Sequence, residues 1–526
     1  MTTDTTPCRF DEAKIDAILS VLNQCHKPGG AVAIAIGGVP VYRKGFGLAS
    51  LELPALLTPG MRMRIGSTTK QFTCLAYLLL CEEGRASLDD PIERHVPEIH
   101  AVAHGVTVRQ IMGHTSGLRD IFGISMIVHG PGVRITDQQL LDYYRTIDDV
   151  DFAPGTEWSY NNGGYVLLTA VIERLAGQPL DEVLRTRIFQ PLGMNDTMLR
   201  RWDSDFVPNS ATLHMLNARG DYTRDYMGLE LTGAGGLVST MDDMLIWLKH
   251  MDAPTVGSAP TWRALREPHR LANGHSTGYG LGLMSAPYRG VEVIMHGGAV
   301  MGGSSQMMKV PSAGLDISIA VNRADVNASV IADQILDVVV DGLHPLPEKV
   351  NAEAVEGIYV SATSGRVVEL SSLGGLQFLS LDGAQGLPVE MGPDGVLRLP
   401  AMLRYLHWEF EPEGDLGRLV EFGNEELMRR IEVNREVSVA PHVGTYRADP
   451  LSTCAEITDA GEGARLVLKG RYGSATYDLE PITARMWRAR PRGPLGALSG
   501  IVAFDERGAG FQFAAGRIQR LRFARE

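Results

Sequence analysis

The sequence predicts an α/β unit, an antiparallel sheet flanked by helices, followed by two antiparallel β-barrels. Three observations carry this: a helix-then-hairpin pattern near the start, strand patterns that resume late in the first 345 residues, and a repeat within the tail. Residues 10–22 place Ile15, Ile18, Leu19 and Leu22 at helical spacing, and residues 31–36 and 39–47 flank the turn Gly37-Gly38, a helix and then a hairpin. Residues 279–283, 291–295 and 315–320 read as three further strands, with a helix over 329–343. If hairpin and late strands share one sheet, the helical middle of the chain packs on its faces.

From about Pro345 the chain turns to short alternating strands broken by Gly, Pro and Asp. Val355-Glu356-Gly357-Ile358-Tyr359 is answered 87 positions on by His442-Val443-Gly444-Thr445-Tyr446, and the halves end on strand-like residues 427–433 and 518–523. Two related barrels follow, with one continuous sandwich as the alternative. The expected units are residues 1–345, 346–433 and 434–526, consistent with a length of 526 residues that exceeds one compact core.

Composition narrows the function classes. Apolar residues at 44% and charged residues at 21% exclude a disordered or fibrous chain, and a net charge of -13 without a basic cluster excludes a nucleic-acid partner. The opening Met1-Thr2-Thr3-Asp4-Thr5-Thr6 lacks the layout of a secretory signal, and no apolar run reaches the length of a membrane span. A soluble cytoplasmic protein without a membrane partner is the expectation. The five cysteines, Cys8, Cys25, Cys74, Cys81 and Cys454, form no Cys-x-x-Cys pair, and Cys74 and Cys81 fall in an apolar helix as small core residues.

Three motifs bear on chemistry. Ser67-Thr68-Thr69-Lys70 sets a hydroxyl and an amine one helical turn apart on one face, where the amine helps remove the proton from the nucleophile. Gln71 onward reads as a buried helix, so Ser67 sits at its first turn with an unpaired N–H able to face an oxyanion. Tyr160-Asn161-Asn162 follows the turn signal Pro154-Gly155, placing a tyrosine able to relay a proton and an amide able to meet substrate. His296-Gly297-Gly298 ends a strand, where the glycines let a substrate backbone lie close and the histidine donates or shuttles a proton. Each has a bland reading: a helix cap with a solvated lysine, a buried loop tyrosine, a satisfied histidine.

Gly274-His275-Ser276-Thr277-Gly278 satisfies Gly-x-Ser-x-Gly, yet that elbow needs a buried strand before it and a helix after it, and neither pattern is present. His95, His100 and His104 lack metalloprotease spacing, so no metal site is read there.

In combination and in this order, the motifs make the chain resemble the penicillin-recognising serine hydrolases: the class C β-lactamases, the D,D-peptidases and, more closely, the D-aminopeptidases. Ser67 to Lys70, Tyr160 to Asn162 and His296 to Gly298 correspond to Ser-x-x-Lys, Tyr-x-Asn and His-x-Gly. Glu83-Gly84-Arg85-Ala86-Ser87-Leu88-Asp89-Asp90-Pro91 and Gly113-His114-Thr115-Ser116-Gly117-Leu118 are similar to family strings. The resemblance spans residues 10–343 and implies a β-lactamase/transpeptidase-like catalytic fold. It implies Ser67 as nucleophile, Lys70 and Tyr160 as base and then acid, and Asn162, His296, Gly298 and Ala299 as substrate-binding, with the N–H groups of Ser67 and Ala299 forming the oxyanion hole. No cofactor and no metal are implied.

The two trailing β-units are similar to those of the D-aminopeptidases, one of which sends a loop to the active site; residues 471–478 are the candidate loop. A histidine stands where class C enzymes and D,D-peptidases usually carry a lysine that helps hold the substrate carboxylate, and it is shorter and only partly charged near neutrality. That favours a peptide, amide or ester substrate with a free amine. The reading is a D-stereospecific aminopeptidase, with a homodimer as the oligomeric expectation. An esterase or weak β-lactamase, and a penicillin-binding protein that acylates without turnover, stand as alternatives.

Overall fold

The computed structural model describes residues 6–350, 353–400, 403, 406–459, 461, 463–492 and 498–526. The polar opening residues Met1 to Thr5 lie outside them. One six-stranded antiparallel sheet organises the first unit, in the order Val39–Phe46, Gly30–Ile36, Leu315–Val321, Gly303–Val310, Val291–Val300 and Met284–Tyr288. The early hairpin and the late strands do share it, with Val32 opposite Ile319 and Ser304 opposite Ala299.

Alternation along Gly30–Ile36 explains how both faces are covered. Val32 and Ile34 join Ile317, Ile319, Ile331 and Ile335 beneath the helices Glu12–Ile18 and Ala328–Val339. Ala31, Ala33 and Ala35 face the opposite way, into the large helical layer inserted between hairpin and late strands. Small side chains on that face let helices such as Met241–His250 lie close against the sheet.

Two strand readings are corrected. Residues 279–283 form a bent loop, with the strand beginning at Met284. Gly282 has φ of +76°, and a Cβ there would lie 2.8 Å from the Gln71 backbone nitrogen, so this segment presses against the start of the helix Lys70–Glu82. The strand Gly303–Val310 was not foreseen. It buries Ser305, Gln306 and Lys309, which hides the apolar alternation a sheet strand usually shows. The buried Lys309 Nζ is held by Asp316 at 2.9 Å and by Asp252 at 2.7 Å.

The tail forms two closed eight-stranded barrels, from Gly357–Ser361 to Asn424–Ile431 and from Gly444–Ala448 to Ile518–Arg525, which rules out the single sandwich. Both dock on the first unit. Phe422 of the first barrel packs at a tilt on Trp158, ring centroids 4.9 Å apart, and the loop carrying Ser276 packs there through His275 against His407. Tyr477 of the second barrel donates to the Ile127 carbonyl at 2.8 Å, and its core runs without a break into the helical layer.

Asn322, fully buried after the strand Leu315–Val321, fastens the sheet to the loops around it. Its oxygen accepts from Gly29 N at 2.8 Å, and its amide donates to the carbonyls of Leu48, Ala49 and Thr212. Asn322→Ala strands several buried polar groups, each costing about 1–3 kcal/mol. A thermal midpoint lowered by several degrees is the expected result, and an unchanged midpoint would show that these contacts contribute nothing net.

Candidate active site

Ser67 lies in the 3-10 turn Gly66–Thr69, directly before the helix Lys70–Glu82. Gly66 has φ of +51°, and a Cβ on it would come within 3.0 Å of Ala299 N, so only glycine brings the turn this close to the strand Val291–Val300. Two hydroxyls fasten turn to sheet: Thr68 donates to the His296 carbonyl at 3.1 Å and Ser305 to the Ile65 carbonyl at 2.8 Å. Ser67 itself is half-buried and open to a substrate.

Lys70 is wholly buried one turn below. Its Nζ is 3.2 Å from Ser67 Oγ and donates to Asn162 Oδ1 at 2.8 Å and to the Ala234 carbonyl at 2.5 Å. Burial holds the amine well below its ordinary value, the charge of Arg517 pushes the same way, and Asp120 opposes them. A neutral amine has two N–H bonds, which the two carbonyl oxygens use, and one lone pair, which is left for the hydroxyl of Ser67. The arrangement is that of a base able to take the serine proton.

The Tyr160 ring centroid stands 4.8 Å from Lys70 Nζ, and the ring packs on His114 at 4.3 Å. His114 has φ of +61° and is buried among Tyr160, Tyr165, Tyr279 and Trp158. Burial, reinforced by the charge of Lys70, holds this imidazole far below its usual value, and its Nδ1 accepts from Asn161 N at 3.0 Å. Asn161 caps the helix Asn162–Ala176 by accepting from Gly164 N, which orients Asn162 toward Lys70. Asp120 Oδ1 accepts from Gly163 N at 2.8 Å and steadies the same turn.

The third motif is placed differently from its sequence reading. His296 is 2% exposed, with Nδ1 2.7 Å from the Gly297 carbonyl and Nε2 3.0 Å from the Tyr279 hydroxyl. Nδ1 donates, so Nε2 accepts from the tyrosine and both ring nitrogens are engaged. Burial pulls its pKa down to about 3, with Lys70 adding to the effect, so the ring is neutral and offers a carboxylate no charge. The glycine also has another use: a Cβ on Gly298 would lie 1.9 Å from the Ile65 carbonyl, so it admits the nucleophile's own segment. Ala299, next along, is exposed beside Ser67's turn.

The structure thus gathers Ser67, Lys70, Tyr160, Asn162, His296, Gly298 and Ala299 around one cleft. Residues 471–478, the anticipated active-site loop, lie elsewhere: Tyr472 packs on His129 and Tyr143, at the far end of the helix Ile121–His129 from Asp120. Nine residues of helix separate the two ends by about 13 Å. The second barrel reaches the site through the turn at Gly516 and Arg517 instead, with the guanidinium carbon 5.2 Å from the Tyr160 ring centroid. The sequence marks His114 only through its string Gly113 to Leu118 and not as a packing partner of Tyr160, and it gives no motif for Asp120, Tyr279 or Arg517.

A sheet with an inserted helical layer, and a buried amine beneath a serine, are the fold and site of a serine hydrolase. Residues 14–340 match the Beta-lactamase family, and the chain belongs to it. It is similar to the D-aminopeptidase of Brucella anthropi, 29% identical over 492 residues that cover 91% of this chain and 90% of that protein. Among solved structures it is similar to the octameric penicillin-binding protein homologue from Pyrococcus abyssi, at 22% identity and TM-score 0.59, covering 89% of this chain and 100% of that one. It is also similar to the D-amino acid amidase from Ochrobactrum anthropi complexed with D-phenylalanine, at 25% identity and TM-score 0.52, covering 62% and 98%.

The depressed pKa of Lys70 has a sign that can be tested. Between its folded and unfolded values the unfolded chain binds the extra proton, so this lysine's contribution to stability rises with pH across that window. The thermal midpoint of the wild-type chain relative to Lys70→Met therefore climbs as the pH rises toward the ordinary lysine value of about 10. A flat difference would mean that Lys70 folds protonated.

Proposed function

We propose that the chain is a D-stereospecific serine aminopeptidase that releases N-terminal D-amino acids from short peptides, amides or esters. What carries the reading is that its likeness to a D-aminopeptidase runs through the catalytic unit and both barrels, over 91% of the chain. The amidase likeness, confined to 62% of the chain, supports the same chemistry at the catalytic unit.

Ser67 Oγ attacks the scissile carbonyl while Lys70 takes its proton across 3.2 Å. The oxyanion that forms is met by the N–H groups of Ser67 and Ala299, whose strand and turn are pressed together at Gly66 and Gly298. The carbon–nitrogen bond breaks as Tyr160 gives its proton to the departing amine, and Tyr160 is reprotonated from Lys70 beside it. Water then attacks the acyl carbonyl as the same pair takes its proton, the carbon–Oγ bond breaks, and the pair returns that proton to Ser67 Oγ. Asn162 holds Lys70 and presents its amide to the substrate. The neutral His296 backs the strand and fixes Tyr279.

No described helix is long and apolar enough to cross a membrane. A cytoplasmic location and a homodimer complete the proposal, the latter checked by light scattering.

A panel of D- and L-alanine p-nitroanilides, acetyl esters and a chromogenic cephalosporin tests the function. D-anilide turnover should dominate, Ser67→Ala should lose about 10⁴-fold or more, and Tyr160→Phe about 10²–10⁴-fold. Ester or cephalosporin turnover exceeding that of the D-anilide would give the site to an esterase or β-lactamase instead. A lasting mass increment on Ser67 without turnover would make it an acylated binding protein.

A further inference from the structure

The imidazole of His296 is neutral, and an arginine 221 residues further along the chain reaches the same site from the second barrel. Arg517 projects from the turn between strands Gly510–Ala515 and Ile518–Arg525 of the second barrel, its side chain 45% exposed. The turn is built against the first unit. Arg119, clamped by Asp149 and Asp151, donates to the Gln519 carbonyl. Ile518 fills the space over Gly123, where a Cβ would lie 2.8 Å from its Cδ1. A fixed backbone therefore delivers this guanidinium over the Tyr160 ring, at 5.2 Å.

Its donors are not spent there. Its one carboxylate neighbour among the described residues is Asp120, an ion pair whose Oδ2 lies 3.8 Å away, beyond hydrogen-bond reach, and that oxygen has no hydrogen-bond partner. Arg517 and any positive charge that develops on Lys70 repel each other, the nearby imidazoles are neutral, and Asp120 offsets only part of that repulsion, so a further anion is favoured there. The planar fork of arginine suits a carboxylate in two parallel hydrogen bonds.

The position also fixes which end of the substrate carries that anion. Tyr160, in the mechanism above, protonates the departing nitrogen, so a group seated on its ring lies on the leaving-group side of the scissile bond. In a single departing amino acid the carboxylate carbon is two bonds from that nitrogen, about 2.5 Å. Each further residue carries the terminal carboxylate about 3.5 Å away. The substrate's ammonium belongs to the acyl side, across the carbonyl, so the two charges do not compete for one place.

We propose that Arg517 binds a carboxylate on the leaving group, making the preferred substrates D-aminoacyl dipeptides with a free C-terminus over amides, capped peptides and longer chains. This rests on the aminopeptidase reading for the acyl half, whereas the leaving-group half can be measured separately.

Two phenols of similar reactivity, 3-hydroxybenzoate and its methyl ester, are acylated with D-alanyl, L-alanyl and acetyl groups and offered to the full chain and to Arg517→Gln and Arg517→Lys. For each acyl group the charged leaving group should be favoured in kcat/KM by about tenfold or more, through KM, as suits a charge-assisted pair. Arg517→Gln should bring that ratio to about one by raising KM for the charged esters more than for the neutral ones, and Arg517→Lys should keep part of it. A wild-type ratio near one, or a ratio unchanged in Arg517→Gln, overturns the proposal. An equal fall for charged and neutral esters, with a displaced pH profile, also overturns it, since Arg517 would then act through Lys70 and Tyr160. The D-to-L ratio reports the aminopeptidase reading independently. The acetyl esters, followed as Ser67 loading by mass spectrometry, keep the leaving-group ratio measurable even if that reading fails. A thermal midpoint close to that of the wild-type chain shows that each variant is folded.

Discussion

A lysine taken entirely out of water beneath a serine hydroxyl is the constraint around which this molecule is arranged. An ammonium in that position would have to be solvated by protein alone, and the cleft offers Lys70 two carbonyl oxygens and a set of aromatic rings. Losing the proton is the less costly outcome, and the product is an unprotonated amine one turn from Ser67. The same absence of water holds His114 and His296 neutral, so the positive charge available at the mouth comes from Arg517 on the barrel. Burial, which makes a base of Lys70, thus removes the charge that a substrate carboxylate would seek at His296.

Keeping water out requires surfaces that meet without gaps, and the glycines at the cleft provide this. Gly66 and Gly298 bring the nucleophile turn against the strand, and Gly282 lets a bent loop rest on the first residues of the helix Lys70–Glu82. At each, a Cβ would occupy space already held by backbone, and backbone cannot swing aside as a flexible side chain can. The precision of the oxyanion site in the proposed mechanism is therefore a property of three interlocked backbones.

The barrels complete the cleft from outside. The first presses Phe422 on Trp158, a neighbour of Tyr160, and the second sets Arg517 over Tyr160 itself. The second barrel has no separate core: its apolar interior continues into the helical layer, and Tyr477 and Gln519 are tied by hydrogen bonds to the first unit. A wall that shares its core with the catalytic unit holds a side chain over the site with the rigidity of the fold.

The sequence by itself determined the features whose cause is local. Helical spacing joined Ser67 to Lys70, period-two alternation marked the hairpin, and a repeated pentapeptide announced two barrels; each is read within a few residues. The motif order also singled out Tyr160, Asn162 and His296 as candidates. Tertiary structure decided what depends on contacts between distant segments. The strand Gly303–Val310 escaped notice because its polar side chains find their partners in distant segments, Ser305 at Ile65, Gln306 at Ser329 and Lys309 at Asp252 and Asp316. His296 looked like a substrate contact until Tyr279 and the Gly297 carbonyl engaged its ring, and Gly298 looked like space for a substrate until Ile65 filled it. Residues 471–478 and the turn at Arg517 are alike in sequence, each an arginine in a barrel loop. Only the docking of the second barrel, through Arg119 and Ile518, places the latter at the cleft, because burial and electrostatic neighbourhood are properties of the assembled molecule.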